Sequence, residues 1–332
     1  MNNFYLNSKI GNSNIETEPI RKGFGKGLKQ AGDEDERVVA LCADLTESTQ
    51  MHLFKEAHPE RFVEVGVAEQ NLVTVAAGMS GMGKKPFASS YAAFSPGRNW
   101  EQIRTTLCLN ERFSCIVGSH AGISVGPDGA THQMLEDIAM MRVLPNMIVI
   151  APGDSKEAEK ATLAIARQDS PTYLRLAREP TPVYSTDESP FEIGRAYVLR
   201  KGTDVCLLGT GTMTYQCLVA AELLADAGIE AEVVHVPTIK PLDKDTILPS
   251  LIKCGRAVTV EEAQIAGGFG SAVCELASDT LPVPIRRLGI HDRFGESGKP
   301  EELLDYFHLT APHICESVKD FIKINPQYHQ GE

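Results

Sequence analysis

The sequence has few of the features that mark a membrane-bound or nucleic-acid-binding protein. Its 332 residues include 32 Lys and Arg against 44 Asp and Glu, which gives a formal net charge of −12. This excess of acids argues against nucleic acid or an anionic membrane surface as the main partner. No apolar run approaches the ~20 residues needed to span a bilayer, and the N-terminus resembles neither a signal peptide nor a transit peptide. The sequence therefore predicts a cytoplasmic protein.

Patterns typical of metal sites and disulfides are also missing. The eight cysteines are scattered through apolar segments, and none forms a Cys-x-x-Cys pair or a Cys/His set with zinc-ligand spacing. They predict reduced, structural thiols, as in a cytosolic protein. No metal ligand is predicted in this chain.

Two glycine motifs lack what a dinucleotide site needs. Gly209-Thr-Gly211 follows a predicted strand and precedes a predicted helix, but the third glycine of the fingerprint is absent. Residues 267–270, Gly-Gly-Phe-Gly, lie at a helix entry where small residues permit tight strand–helix packing. Neither NAD nor FAD is predicted.

What the sequence does contain is a regular alternation of short apolar strands with longer helical stretches. This alternation predicts the α/β class, with two doubly wound domains, of which the first has a mostly parallel sheet. In the first part the predicted strands are 38–42, 62–67, 86–88, 114–118, 147–151 and 172–176, and the predicted helices are 70–79, 98–109, 135–141 and 155–167. In the second part the predicted strands are 204–208, 230–236, 257–260 and 284–288, and the predicted helices are 215–227 and 270–281.

A proline-rich stretch divides the chain. Residues 179–193 carry three prolines among Ser, Thr and acids, a composition typical of a linker. We therefore predict an N-terminal tail at 1–14, a first domain at 15–180, a linker at 181–193, a second domain at 194–327 and a tail at 328–332.

The most informative segment is 62–72, where a β-branched run passes into a helix that opens with Glu69. Acids are favoured in the first turn of a helix by the unpaired N–H groups and the dipole, so Glu69 taken alone could be a helix-start residue only. A second segment, Gly-Ser-His-Ala-Gly-Ile-Ser-Val-Gly-Pro-Asp-Gly-Ala-Thr-His-Gln at 118–133, sets two histidines and an aspartate in a glycine-rich frame. Such a loop can wrap closely around a ligand.

The order and spacing of these motifs resemble the transketolase family of thiamine-diphosphate enzymes. Gly66-Val-Ala-Glu69 matches the family's acid at a strand-to-helix junction, and Gly289-Ile-His-Asp-Arg-Phe-Gly-Glu-Ser-Gly298 resembles its closing-domain motif. The resemblance covers nearly all of 16–180, as a pyrimidine-binding domain, and continues through the C-terminal unit. It implies thiamine diphosphate as the cofactor and transfer of a two-carbon ketol unit between sugar phosphates as the reaction.

The resemblance also implies roles for individual residues. Glu69 would bond to N1′ of the cofactor's aminopyrimidine and assist its proton shuttle. Tyr91 and Phe94 would contact the ring, although the family usually has Phe at the first position and a third aromatic where this chain has Gly97. Asp44 matches an acid near the coenzyme. Each aromatic taken singly could equally be an ordinary core residue.

The substrate side of the predicted site comes from other segments. By the same resemblance, His132 would lie near the reacting carbon, Asp128 would bind a hydroxyl and His120 would help hold phosphate. Arg21, Arg178 and Ser48 match phosphate-contacting residues, and guanidinium forks suit phosphate geometry.

One expected segment is absent from the sequence. Nothing resembles the Gly-Asp-Gly…Asn stretch that holds magnesium and diphosphate in thiamine enzymes. The resemblance therefore implies the C-terminal half of a split transketolase, in an α2β2 assembly with a separate N-terminal subunit. That subunit would hold Mg²⁺ or Ca²⁺, and the cofactor would be shared across the interface.

Two other functions stay open at this point. The chain could be the beta subunit of a 2-oxo acid dehydrogenase decarboxylase, which has a similar length and the same glutamate, although such proteins do not normally show the loop at 126–133. It could also be a non-catalytic assembly subunit that retains the fold. A 1-deoxyxylulose-5-phosphate synthase-like reaction is a nearer relative of ketol transfer, but that family usually keeps both halves in one chain.

Overall fold

The computed structural model describes residues 5–325, which form fourteen strands and eleven α-helices within that range. The strands are β1 (Thr17–Pro19), β2 (Val38–Cys42), β3 (Phe62–Glu64), β4 (Lys85–Tyr91), β5 (Cys115–Ser119), β6 (Ile148–Ile150), β7 (Thr172–Arg175), β8 (Pro180–Pro182), β9 (Tyr197–Arg200), β10 (Val205–Gly209), β11 (Ala231–His235), β12 (Thr238–Lys240), β13 (Ala257–Gln264) and β14 (Ile285–Ile290).

The helices are α1 (Ile20–Glu34), α2 (His52–Ala57), α3 (Glu69–Gly81), α4 (Trp100–Gln102), α5 (Asp137–Arg142), α6 (Ser155–Ala166), α7 (Met213–Ala225), α8 (Lys244–Cys254), α9 (Phe269–Thr280), α10 (Pro300–Tyr306) and α11 (Ala311–Ile324). A π-helical segment, Ile103–Cys108, continues α4. Short 3₁₀ turns lie at Pro59–Arg61 and Ile123–Asp128. Every helix within residues 5–325 is too short or too polar to span a bilayer.

Two sheets confirm the predicted α/β class. The first has seven strands in the order β12-β6-β7-β5-β4-β2-β3, all parallel except β12. The second has five strands in the order β14-β13-β10-β11-β9, all parallel except β9. Strands buried on both faces read as continuous apolar runs, as in Val38–Cys42, and this is why they stand out in the sequence.

The first sheet has a separate core on each face. Val38, Ala40 and Cys42 point towards α1 and α6, whereas Val39 and Leu41 point into a core that also includes side chains of the second sheet. Helices α1 and α6 pack very closely, because a Cβ on Gly23 would lie 1.8 Å from the carbonyl oxygen of Ser155. Only a glycine fits at this crossing.

The two units are joined by more than the intervening segment. Strand β12 belongs in sequence to the second unit, yet it adds antiparallel to β6 at the edge of the first sheet. Strand β8, in the proline-rich stretch, pairs with β1 near the start of the chain. The predicted tail at 1–14 is also partly attached, since the Asn7 amide donates to the Tyr184 carbonyl at 2.8 Å. Residues 328–332 of the predicted C-terminal tail lie outside the described residues, and the domain boundaries stay a prediction.

The structure differs from the predicted elements in two places that matter for the site. The strand predicted at 62–67 ends at Glu64, and residues 65–68 form the turn that leads into α3. The helix predicted at 98–109 begins only at Trp100 and soon widens into the π-helical segment. Both differences leave irregular backbone beside Glu69. The predictions of a regular strand to residue 67 and of a regular helix from residue 98 were therefore wrong there.

Candidate active site

The predicted site residues follow neighbouring strands at one edge of the first sheet. Asp44 follows β2, Glu69 follows β3, Tyr91 ends β4, His120 follows β5 and Arg178 follows β7. These strands lie side by side in the order β7-β5-β4-β2-β3. Because the strands are parallel, their carboxyl ends meet at one edge, which is where α/β sheets bind ligands.

Glu69 is a buried acid with a defined set of partners. It is the first residue of α3 and is 4% exposed. Its two carboxylate oxygens accept bonds of 3.0 and 3.1 Å from Nη1 of Arg98, and its carbonyl accepts a bond of 2.8 Å from the Asn99 side-chain amide. Helix start, ion pair and amide together fix the position of the carboxylate.

Tyr91 and Phe94 form a stacked aromatic pair. Their ring centroids lie 5.9 Å apart with an interplanar angle of 17°. Tyr91 ends β4 and Phe94 lies in the turn that follows. The His132 ring meets Phe94 edge-on, with centroids 5.4 Å apart.

The missing third aromatic has a steric cause. Residues 91–98 form a tight turn, in which the Ser95 amide donates to the Tyr91 carbonyl at 2.8 Å. A Cβ on Gly97 would lie 2.0 Å from the carbonyl oxygen of Ala93. No side chain fits at position 97 in this backbone, so the departure from the family pattern belongs to the turn itself.

His120 lies beneath the aromatic pair. It is 2% exposed, and its ring stacks on Tyr91 with centroids 3.7 Å apart. Burial lowers the pKa of His120 to about 3, with further contributions from the positive charges of Arg21 and Arg178. The His120 imidazole is therefore neutral. It can donate one hydrogen bond but brings no positive charge to a phosphate.

Arg21, Ser48 and Arg178 are brought together on the other side of His120. The Arg21 guanidinium donates to the Arg178 carbonyl at 3.0 Å and to the Ser48 carbonyl at 2.6 Å. Burial, with the nearby charge of Arg178, lowers the pKa of Arg21. Arg178 in turn lies 3.6 Å from the Asp128 carboxylate and donates to the Val125 carbonyl at 2.7 Å. The Arg21 guanidinium thus contacts the backbone of Arg178, and the Arg178 side chain reaches the histidine loop.

Asp44 is held on a loop that Glu64 ties to the Glu69 turn. One oxygen of the Glu64 carboxylate accepts the backbone N–H of Asp44 at 2.8 Å and that of Gly66 at 2.9 Å. The other accepts the Thr46 hydroxyl at 3.2 Å. Asp44 itself has a φ of 60°, a conformation in which aspartate is enriched. Sequence reasoning missed Glu64, which has no motif signal beyond its place at the end of a strand.

The second unit holds the histidine loop in place. The buried carboxylate of Glu262 accepts the Ser124 amide at 2.6 Å and the Thr212 hydroxyl at 3.0 Å. The Gln133 side-chain amide donates to the Ile123 carbonyl at 3.0 Å and to the Glu296 carbonyl at 2.8 Å. The motif at 289–298 therefore braces the loop from outside the first domain.

The donor set fits one half of thiamine diphosphate. A buried carboxylate beside two stacked rings suits a flat heterocycle with a basic ring nitrogen, which matches an aminopyrimidine. Within residues 5–325, no group of three or more His, Cys, Asp or Glu side chains could hold a metal ion.

Comparisons with known proteins agree with this arrangement. Residues 17–183 match the family model of the transketolase pyrimidine-binding domain, and residues 194–314 match that of the transketolase C-terminal domain. The chain thus has the two-domain plan of the pyrimidine-binding and C-terminal part of a transketolase.

Full-length relatives agree as well. A Methanocaldococcus jannaschii protein, named as a transketolase C-terminal section, is 43% identical over 92% of this chain and 96% of its own length. A 6-deoxy-6-sulfo-D-fructose transketolase subunit of a Clostridium species is 39% identical over 92% and 95%. A solved structure titled as a split gene transketolase, inactive beta4 tetramer, is 41% identical with a TM-score of 0.87, over 92% of this chain and 99% of that one. The chain belongs to the transketolase family, and this membership implies dependence on thiamine diphosphate.

The structure thus gathers the predicted residues into two adjoining groups. Glu69, Tyr91, Phe94 and His132 form one, and Arg21, Ser48, Asp128 and Arg178 form the other, with His120 between them. Within residues 5–325, the Asp44 side chain forms no hydrogen bond or ion pair with either group, and its backbone N–H is bonded to the Glu64 carboxylate. Sequence reasoning missed Arg98, although it lies four residues after Phe94 in a segment already singled out, and it missed Glu262, which lies far away in the chain.

Proposed function

We propose that this chain is the C-terminal subunit of a split transketolase that transfers a two-carbon ketol unit from a ketose phosphate to an aldose phosphate. The observation that carries the proposal is the junction of the two groups at His120. On one side a buried acid lies beside a stacked aromatic pair, and on the other side two arginines converge. A cofactor heterocycle and an anionic substrate end can therefore be bound next to each other.

Thiamine diphosphate supplies the electron sink for cleavage and formation of the carbon–carbon bond. The residues of this chain bind and orient it and move protons. Glu69 would accept or donate a proton at the ring nitrogen N1′. Tyr91 and Phe94 would hold the heterocycle, and Asp44 would lie near it on its braced loop.

The substrate would occupy the other group. Arg21 and Arg178 would bind the substrate phosphate, with Ser48 at its edge. A guanidinium group suits this role because it can donate two parallel hydrogen bonds to a phosphate, which a lysine ammonium cannot. His120, neutral when buried, would add a hydrogen bond to the phosphate end. Asp128 would bind a sugar hydroxyl, and His132, which meets Phe94 edge-on, would act on protons near the reacting carbon.

A separate subunit would complete the site. The described residues offer no metal cluster, and a similar protein is named as a C-terminal section. The solved structure that is 41% identical is titled an inactive tetramer of beta subunits. We infer an α2β2 assembly whose N-terminal subunit holds Mg²⁺ or Ca²⁺ and the diphosphate. A cytoplasmic location stays a prediction from the sequence.

The test is a reconstitution with a transketolase-like N-terminal subunit from the same organism. Xylulose 5-phosphate and ribose 5-phosphate would be supplied to this chain alone, to the partner alone and to the mixture, with thiamine diphosphate and Mg²⁺. We expect ketol transfer only in the mixture, at a mass that light scattering assigns to two copies of each chain. Turnover by this chain alone would contradict the proposal.

Two further substrate pairs separate the alternatives. Pyruvate with an artificial electron acceptor tests the hypothesis of a 2-oxo acid dehydrogenase decarboxylase. Pyruvate with glyceraldehyde 3-phosphate tests the hypothesis of a 1-deoxyxylulose-5-phosphate synthase-like reaction. Activity with either pair, without ketol transfer from a range of ketose phosphates, would replace the proposed reaction. A mixture that assembles and binds thiamine diphosphate but turns over none of these substrates would favour a non-catalytic subunit.

A further inference from the structure

Arg98 is the direct ionic partner of the buried Glu69 carboxylate. One guanidinium nitrogen, Nη1, lies 3.0 Å from one carboxylate oxygen and 3.1 Å from the other. The Glu69 side chain is 4% exposed and that of Arg98 is 49% exposed. The pair therefore lies at the boundary between the protein interior and solvent.

A carboxylate in such a place needs a counter-ion. Burying an ionised carboxylate without a partner costs several kcal/mol, and removing one partner of a buried pair leaves the other charge uncompensated. Arg98 supplies that charge.

Arg98 is itself held in position. Its guanidinium carbon lies 4.1 Å from the centre of the Phe94 ring, a cation–π contact, and its backbone N–H donates to the Phe94 carbonyl at 2.8 Å. The next residue, Asn99, donates to the Glu69 carbonyl at 2.8 Å. Neighbouring residues of one turn thus contact the side chain and the backbone of Glu69.

We propose that Arg98 is a positioning residue for thiamine diphosphate, which holds the Glu69 carboxylate in place and directed at the cofactor's ring nitrogen N1′. This rests on the proposed function, because it assumes that Glu69 meets the aminopyrimidine. Arg98 would act through Glu69 and not on the substrate. Its effect should therefore depend on whether the ligand has the nitrogen that Glu69 contacts.

Two ligands separate this role from a general structural one. Thiamine diphosphate and an analogue with carbon in place of N1′ would be titrated by calorimetry, with Mg²⁺, into the reconstituted complex. The complex would carry wild-type chain, Arg98→Gln, Arg98→Lys or Arg104→Gln. Arg104 lies in the π-helical segment nearby and is exposed, so its variant is a matched control.

We expect Arg98→Gln to weaken the affinity for thiamine diphosphate about tenfold or more, which is the effect of losing a hydrogen bond to a charged group. The affinity for the analogue should stay within about twofold of the wild-type value. Arg98→Lys keeps the charge but loses the flat guanidinium that lies over the Phe94 ring, so it should recover part of the loss. Arg104→Gln should change neither ligand.

Equal weakening of both ligands by Arg98→Gln, or no change in either, would overturn the inference. A wild-type complex that binds thiamine diphosphate but transfers no ketol unit would overturn the proposed function while leaving the Arg98 comparison readable. A wild-type complex that does not bind thiamine diphosphate would overturn both.

Discussion

The buried, neutral His120 makes a specific prediction about acid stability. The ring is 2% exposed, stacks on Tyr91 and faces the charges of Arg21 and Arg178. A proton on this ring would have to enter a site that is both dry and already positive. The substitution to make is His120→Asn, because the residue has a φ of 58° and asparagine tolerates that conformation well.

The magnitude follows from the two pKa values of the ring. The pKa of His120 is about 3 in the folded protein and about 6.5 in an unfolded chain. Because the folded value is the lower one, the unfolded chain takes up the proton first as the pH falls. The stabilising contribution is therefore fully present above about pH 6.5 and is lost as the pH falls towards 3. At about pH 5 the free energy of unfolding should have dropped by about 2 kcal/mol on account of this ring.

The assay is denaturant unfolding of wild type and His120→Asn at a series of pH values between about 8 and 5. All other groups titrate alike in the two proteins, so the difference between their free energies of unfolding isolates the histidine. The substitution will cost some packing energy at every pH. This cost lowers the variant's free energy of unfolding by the same amount throughout and does not change how that free energy depends on pH. We expect the gap between the two curves to narrow by about 2 kcal/mol towards pH 5. Parallel curves would refute the argument that this ring is buried and neutral.

Two further predictions concern acids outside the substrate groups. Glu64→Ala should weaken binding of thiamine diphosphate to the reconstituted complex by about tenfold, because the backbone N–H groups of Asp44 and Gly66 lose their common acceptor. Glu64→Gln keeps one acceptor oxygen and should bind the cofactor nearly as wild type. Calorimetry measures both affinities, and an equal loss of affinity in the two variants would contradict this role of Glu64. Burial raises the pKa of Glu261 to about 7 from 4.5, so the folded state keeps this proton longer and stability should fall by about 3 kcal/mol as the pH rises across that interval. Glu261→Gln should remove this slope in denaturant unfolding, and an unchanged slope would contradict it.

Much of the fold could be predicted from the sequence because buried parallel strands are short and apolar. Strand β2 begins and ends at the predicted residues, and α6 begins at the predicted Ser155 after the Asp154 cap, whose carboxylate accepts the Glu157 amide at 3.0 Å. Strand β12 was not predicted. Its pairing with β6 depends on how the two units pack against each other, and a local sequence pattern does not indicate this packing.

The candidate site was predictable to the extent that its residues lie in contiguous motifs. Glu69, Phe94 and His132 lie within such motifs and end up close together. Arg98 and Glu262 could not be assigned in the same way. An arginine in a turn and an acid in a strand have no distinctive pattern, and only the packing shows that one faces Glu69 and the other holds the loop at Ser124.

The proposed role of Glu69 is tested by measuring turnover of the reconstituted complex when this residue is changed. In the proposed complex, this acid lies at one side of a site that the partner subunit completes. Glu69→Ala should therefore lower ketol transfer by roughly 10²–10⁴-fold, the contribution of a positioned acid–base group, while light scattering shows the same assembly as for wild type. Turnover within about threefold of wild type, at full assembly and saturating cofactor, would show that Glu69 is not the acid–base partner of the cofactor.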